Sequence, residues 1–307
     1  MLFNKKKNKI GLLPHIRTEV YGLNTNTAQI LGWEITKLGI NNQWIKSQGE
    51  DVIIAVIDTG CDLNHPDIKN NLLPGKNFID ESQPPQDDNG HGSHVCGTIA
   101  AENNGIGMVG VAPKAKIIPV KALNAKGQGT LDSIINSIIW SADNKVNFIT
   151  MSLGSSNNDN KLHNAIKYAN SKGCIVFAAA GNSGENTDIM YPAKYKEVIS
   201  TGAIDENLER TKFSCAGEDL DFLAPGHNIF SLAPNNGYAI MSGTSMSNPY
   251  ATACAALLLS YNKKYNKYIL KNIQNYIEIL STMCQKIKNP TYQNIKYQGN
   301  GIITVQL

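Results

Sequence analysis

Gly243-Thr244-Ser245-Met246-Ser247-Asn248-Pro249 delivers a serine through a tight glycine turn into a long apolar run, Tyr250 to Tyr261. That run reads as a buried helix, with Ser245 at or near its N-terminus. Free backbone N–H groups and the positive end of the helix dipole favour developing negative charge there. Ser245 is therefore either a helix cap or a nucleophile. Two upstream stretches bear on the choice. Val56-Ile57-Asp58-Thr59-Gly60 ends a strand-like run on a carboxylate, and His91-Gly92-Ser93-His94 follows a polar loop and opens an apolar segment. A serine hydroxyl needs a base to take its proton, and the base needs a carboxylate to orient it. Alone, Asp58 is equally a turn cap. Gly181-Asn182-Ser183-Gly184 is a fourth candidate, since an Asn amide can donate to an oxyanion, but it is also good turn chemistry.

These residues need a scaffold. Val52-Ile53-Ile54-Ala55-Val56-Ile57 is a continuous apolar run between turn residues, as suits a strand buried on both faces. Further strands are expected at Ile117 to Leu123, Phe148 to Ser152, Cys174 to Ala178, Glu197 to Ala203 and Leu220 to Ala224. Helices are expected from His91 to Ala101, from Leu131 to Ala142, around Leu162, Ala165, Ile166 and Ala169 with Gly173 as C-cap, after Ser245, and from Tyr265 to Leu280. The alternation implies an α/β fold with a parallel sheet and helices on both faces. In such sheets ligands sit outside the carboxyl ends of the strands. Asp58 ends one strand and Gly181-Asn182 follows another, so both would face one crevice.

The chain of 307 residues can bury a large core, and its net charge of +3 is too small to imply a nucleic-acid partner. Lys5-Lys6-Lys7 and Lys9 read as a solvated tail or as a basic contact to a membrane surface. Met1 to Ile10 has no apolar signal region, and no run approaches the ~20 apolar residues that span a bilayer. The expectation is a cytoplasmic protein without a membrane span. Six cysteines (61, 96, 174, 215, 254 and 284) lie far apart, several in apolar runs, and read as buried free thiols.

The order Asp58, His91, Ser245, each in its local setting, resembles the subtilisin-like serine proteases, and the pattern is similar to the intracellular members. The resemblance covers about Gln29 to Leu307. It implies a three-layer fold around a mainly parallel sheet, with a catalytic domain over 27–307 and an extension over 1–26. Its activity would be peptide-bond hydrolysis through an acyl-enzyme. Ser245 would be the nucleophile, His91 the base and Asp58 the group that fixes its tautomer, with His94 structural. The Asn182 side chain and the Ser245 N–H would form the oxyanion hole, assisted by the Thr244 hydroxyl. Gly127-Gln128-Gly129 and Ser152-Leu153-Gly154 would be the cleft strands. Ser152, Gly154, Ala179, Ala180 and Gly181 would line the specificity pocket with Met190 at its base, giving an apolar or medium-sized preference. Leu131 would serve a further apolar subsite.

The family's calcium site would fall on Gln29, Asp67 and the loop of Glu102, Asn104, Ile106 and Met108; the plain alternative is a surface loop with turn asparagines. Leu12-Leu13-Pro14-His15 is similar to the inhibitory Leu-Ile-Pro-Tyr/Phe motif of intracellular subtilisins, with His15 in place of the aromatic residue. An extended segment there could add as a strand to the cleft edge, with Pro14 removing a ladder hydrogen bond. The alternative is an irregular terminus. Implied partners are a peptide or protein substrate, the chain's own N-terminal segment and a second copy in a homodimer. Gly301 to Val305 would be the family's terminal strand. A dedicated leader or precursor-processing peptidase would share every motif, and a catalytically silent peptide-binding protein is the reading from outside the enzyme class.

Overall fold

The computed structural model describes residues 9–20 and 28–307; the Lys5-Lys6-Lys7 cluster and residues 21–27 lie outside the described residues. Two short strands come first, β1 (Lys9–Leu12) and β2 (Ile16–Val20), then helix α1 (Trp33–Lys37). The central alternation follows as β3 (Ile53–Asp58), β4 (Lys76–Asn77), α2 (His91–Ala100), β5 (Lys116–Lys121), β6 (Gln128–Thr130) and α3 (Leu131–Asp143). It continues as β7 (Phe148–Met151), β8 (Leu153–Gly154), α4 (Asn160–Ser171), β9 (Ile175–Ala179), β10 (Ile199–Ile204) and β11 (Phe222–Pro225). A hairpin, β12 (Ile229–Ala233) and β13 (Gly237–Ser242), leads into α5 (Thr244–Tyr265), and α6 (Ile273–Ser281) and α7 (Ile295–Gln298) close the chain.

Seven strands form one sheet in the order β11-β10-β9-β7-β3-β5-β4, with every pair parallel. The chain leaves β3 for β5 on one side, then returns past β3 to β7 on the other. The strand order therefore switches between β3 and β7, and the crevice at such a switch is where α/β sheets bind ligands. α2 packs against α5 and α3 against α4, giving a helical layer on each face.

Helix ends follow local chemistry. The Thr130 hydroxyl caps α3 by accepting from the Ser133 N–H at 3.0 Å, and the Ser133 hydroxyl oxygen accepts the Thr130 N–H in return at 3.1 Å. α4 ends as expected at Gly173, whose φ of 86° lets the Cys174 N–H bond the Ala169 carbonyl at 3.1 Å. α5 is buried on all sides from Thr244 to Leu258, with Ala251, Ala253, Cys254, Ala255 and Ala256 fully buried, so it runs through the core rather than along its surface.

Two expectations change. The helix expected over Tyr265 to Leu280 is interrupted: Asn266 turns left-handed at φ 49° and ends α5, and α6 starts only after Asn272, whose side chain caps Asn275. Gly301 to Val305 is not a regular strand; Ile302 alone bridges Leu223 and Gln285, because Gly301 bends the chain at φ 115°. The β12–β13 hairpin was not foreseen. The six cysteines are free, five of them buried. No helix of the described residues is long and apolar enough to cross a membrane.

Candidate active site

Asp58 is the last residue of β3 and His91 the first of α2. Their approach rests on glycine: a Cβ on Gly92 would lie 2.1 Å from the Gly60 carbonyl oxygen, so only a hydrogen there lets the helix start against the end of the strand. His91 Nδ1 then meets Asp58 Oδ1 at 2.8 Å, with both side chains fully buried. Asp58 Oδ1 also accepts the Thr59 N–H at 2.8 Å. The carboxylate thus fixes which imidazole nitrogen carries the proton, leaving Nε2 as the acceptor.

Asp87 holds this corner together and was not singled out from the sequence. Its Oδ1 accepts from the Asn89 and Gly90 N–H groups and the Thr59 hydroxyl, and its Oδ2 from the Ser93 N–H and hydroxyl. Thr59 in turn accepts the Gly92 N–H at 2.9 Å. Burial pushes the Asp87 carboxyl up, but these donors outweigh it and hold its pKa below the ordinary value. Asp87 therefore pins the first turn of α2, and His91 with it. His94 is fully buried, its Nε2 bonded to the Ile229 carbonyl at 3.0 Å, as a structural residue would be. Burial lowers its pKa to about 3.

Ser245 is the second residue of α5. Pro249, four residues on, has no N–H to give the Ser245 carbonyl. The Ser152 hydroxyl supplies that bond instead at 2.8 Å, and the Ser152 carbonyl accepts the Ser245 hydroxyl at 3.3 Å. Ser152, expected in the pocket wall, is thus buried and grips Ser245 from below. His91 Nε2 has no hydrogen-bond partner among the described residues, and the Ser245 hydroxyl is turned to the Ser152 carbonyl rather than to it.

Asn182 follows β9. Its Oδ1 accepts from the Thr244 N–H at 2.9 Å and the Thr244 hydroxyl at 2.8 Å. Two donors on one atom fix the amide, so Nδ2 points into the cleft. There it donates to the Pro14 carbonyl at 2.6 Å. Thr244 Oγ1 also accepts the Gly181 N–H at 3.2 Å, so Thr244 acts by orienting Asn182 and the turn before it.

The N-terminal segment lies across this cleft. β1 pairs antiparallel with β6 on one side, Ile10 opposite Gly129 and Gly11 opposite Gln128, and with β8 on the other, Gly11 opposite Gly154 and Leu12 opposite Leu153. The Leu12 N–H donates to the Gly127 carbonyl at 2.9 Å. Leu13 is 2 % exposed, and its Cδ2 lies 3.0 Å from where a Gly154 Cβ would be, beside Met190. A Gly181 Cβ would likewise sit 3.0 Å from Met190 Cγ. Gly154 and Met190 therefore wall the pocket that Leu13 enters, and Gly181 packs on Met190. Ala179 and Ala180 are buried behind it, and the Ala180 carbonyl accepts the Met190 N–H. Leu153 contributes backbone only, its side chain being fully buried. Leu131 opens α3, packed against the core, and β1 touches that helix through the segment holding buried Ile10. His15 stacks obliquely on His91, ring centres 5.0 Å apart.

The chain runs on as β2, antiparallel to β13. The pocket thus holds the Leu13 side chain while Asn182 holds the carbonyl one residue later, at Pro14. A substrate would present the side chain and carbonyl of the same residue.

At the far side, Gln29 Nε2 faces three oxygens: the Glu102 carbonyl at 2.6 Å, the Met108 carbonyl at 2.8 Å and Asn104 Oδ1 at 3.4 Å. Asp67 joins through Oδ1 to Asn104 Nδ2 at 3.4 Å and through Oδ2 to the Met108 N–H at 3.0 Å. Ile106 enters through its N–H, which donates to Asn104 Oδ1. The Glu102 carboxylate turns away to Asn70. An amide with two hydrogens amid three acceptors marks an oxygen-rich cradle. It is also tight: a Gly107 Cβ would fall 2.0 Å from Asp67 Oδ2. Among the described residues no three His, Cys, Asp or Glu side chains cluster as a metal site, so any cation here would lean on carbonyl and amide oxygens, as calcium can.

The model of the subtilase family matches residues 49–283. An intracellular serine protease of Paenibacillus polymyxa is 38% identical over 268 residues, 85% of this chain and 81% of the relative. The major intracellular serine protease of Bacillus subtilis is 42% identical over 231 residues, 72% of each chain. Subtilisin E of the same species is 40% identical over 262 residues, 84% of this chain and 65% of the relative. The chain belongs to the subtilase family and is a serine endopeptidase.

Proposed function

We propose that this endopeptidase works through Asp58, His91 and Ser245, and that it is made latent by its own residues 9–20. The observation that carries the reading is the buried Asp58–His91 bond of 2.8 Å lying under a strap whose Pro14 carbonyl takes the Asn182 amide. In catalysis the Ser245 hydroxyl turns from the Ser152 carbonyl to His91 Nε2, which takes its proton as Oγ attacks the scissile carbonyl. The Asn182 amide and the Ser245 N–H receive the oxyanion. His91 then returns the proton to the leaving amine, and water repeats the sequence on the acyl-enzyme. The mismatch between Leu13 and Pro14 supports latency, because the carbonyl held by Asn182 belongs to a proline whose ring cannot fill the side-chain pocket. The names of the two intracellular relatives support a place inside the cell.

Removing residues through about Asn24 should raise the initial rate on a denatured protein at least tenfold. Equal initial rates, with the full-length chain intact by mass, would end the latency reading; no cleavage by either would end the peptidase mechanism. The strap should also respond to pH. Burial, and then His91 beside it, hold the His15 pKa below its ordinary 6.5. Docked His15 binds a proton less readily than free His15, so docking is strongest above 6.5 and weakens as pH falls below it. In a Ser245→Ala chain, nicking of the N-terminus by an added protease should speed up on acidification through that window, and in His15→Phe it should not.

The cradle at Gln29, Asp67, Glu102, Asn104 and Met108 fits calcium, which would supply structural cross-linking of the N-terminal side to the loop after α2. Added calcium should raise the melting temperature by a few degrees over chelator, as a ligand of the folded state does. The shift should disappear in Gln29→Ala. Identical melting curves with calcium and with chelator would remove the ion from this site.

A further inference from the structure

The strap does not stop at the catalytic residues. After His15 it becomes β2 and adds a third strand to the β12–β13 hairpin, with Ile16 opposite Ser242, Arg17 opposite Met241, Thr18 opposite Ile240, Glu19 opposite Ala239 and Val20 opposite Tyr238. Ser242 is two residues before Thr244, so this pairing begins at the catalytic turn and runs away from it. When β2 leaves, the same row of β13 backbone groups is an open sheet edge, and an open edge beside a catalytic centre takes another extended strand.

We infer that the β13 edge from Ser242 to Tyr238 is a docking strand for the part of a protein substrate that follows the cut bond, reaching its sixth residue and accepting a basic side chain at the third. The inference rests on the strap reading above and extends it to substrate choice. The count starts at the carbonyl held by Asn182. In the strap that carbonyl is Pro14's, so His15 is the first residue beyond it, Ile16 the second and Val20 the sixth.

Side chains on this strand alternate in the manner of a half-covered strand. Ile16 is 67% exposed and points to solvent. Arg17 turns the other way and lies on the loop before α2: its Nη1 donates to the Asn89 carbonyl at 2.5 Å, and a Gly90 Cβ would sit 2.4 Å from that nitrogen. Glycine at 90 thus leaves a shelf one residue before His91, with a carbonyl acceptor at its rim. A guanidinium or ammonium group on a long stem fits there, whereas a carboxylate would face the carbonyl oxygen. Thr18 is exposed again.

The experiment uses the full chain with Leu13→Asp and Thr18→Pro, which unseat the two halves of the strap. Quenched-fluorescence peptides share one sequence before the cut and carry two to eight residues after it, with arginine third. kcat/KM should rise about tenfold or more from two to six residues and level beyond six. Proline at the fourth position, which faces Ile240 and cannot donate, should return the six-residue peptide to the two-residue value. Glutamate at the third should cost several-fold through KM. The unaltered full chain, once its rate is steady, should show the same length dependence and guards against a misfolded variant. Brisk cleavage of every length at one kcat/KM, or indifference to the fourth-position proline, would overturn the docking strand while leaving the peptidase intact. No cleavage of any peptide by either chain would overturn the peptidase mechanism and the docking strand with it.

Discussion

Ser245→Ala should abolish peptide hydrolysis, lowering kcat by about 10⁶, the loss known for removing the nucleophile of subtilisin, a member of this family, and taken over from it. The structure says why the loss should be chemical and not structural. Among the described residues the Ser245 hydroxyl is held only by the Ser152 carbonyl, and at 3.3 Å that bond is long. The part of Ser245 on which the helix depends is its carbonyl, left without a donor by Pro249 and bonded by the Ser152 hydroxyl at 2.8 Å. Alanine keeps that carbonyl. Stability should therefore change by no more than about 1 kcal/mol, the worth of one ordinary hydrogen bond. Measured on the chain without its strap, the variant should melt like the parent, fail to label with a serine-directed fluorophosphonate and show no turnover. A variant that melts normally and still cleaves at a tenth of the parental rate would remove Ser245 from the chemistry.

Ser152→Ala is the informative contrast. It leaves the hydroxyl of Ser245 in place but strips the donor from a fully buried carbonyl. An unsatisfied buried acceptor costs about 1–3 kcal/mol, so that variant should lose stability where Ser245→Ala does not.

What could be read from the sequence follows a physical divide. Asp58, His91 and Asn182 were legible because each sits at a junction that writes itself locally: a β-branched run ending on a carboxylate, or a glycine turn opening or closing an element. The sheet was legible because strands buried on both faces are continuous apolar runs. Asp87 was not. Its role comes from five donors converging from Thr59, Asn89, Gly90 and Ser93, and nothing in Asp87-Asp88-Asn89-Gly90 distinguishes a hub from a polar turn. Ser152 was assigned to the pocket wall through the resemblance of Ser152-Leu153-Gly154 to a cleft strand; its bond to the Ser245 carbonyl was not legible, because it depends on the proline in α5, 97 positions away by the numbering of Ser152 and Pro249. The strand nature of β1 was an open alternative, since Lys9–Leu12 gains its partners only from β6 and β8. The hairpin β12–β13 was missed although Asn235-Asn236, both at positive φ, supply its turn. Two asparagines before a glycine are a hairpin signal that the apolar flanks alone do not announce.

Asn182→Ala should lower kcat by about 10²–10³ with little change in KM, a magnitude taken over from the equivalent amide of subtilisin. The orientation of the amide makes the expectation specific. Thr244 donates twice to Oδ1, at 2.9 and 2.8 Å, so the NH₂ has nowhere to point but the cleft. What it meets in the latent chain is the Pro14 carbonyl at 2.6 Å. The same donor therefore serves the oxyanion in the open enzyme and latches the strap in the closed one, and alanine removes both. In the strap-free chain the full drop in kcat should appear. In the full-length chain the initial rate should fall less, because a strap without its latch opens more often and partly offsets the slower chemistry. Asn182→Asp separates the two further: a carboxylate oxygen can still accept from Thr244, but the other faces the Pro14 carbonyl, and later the oxyanion, with like charge. It should turn over more slowly than Asn182→Ala and hold its strap more loosely, read as faster nicking of residues 9–20 by an added protease. A strap-free Asn182→Ala chain with parental kcat would take the amide out of the reaction, and the Pro14 contact would then be a latch alone.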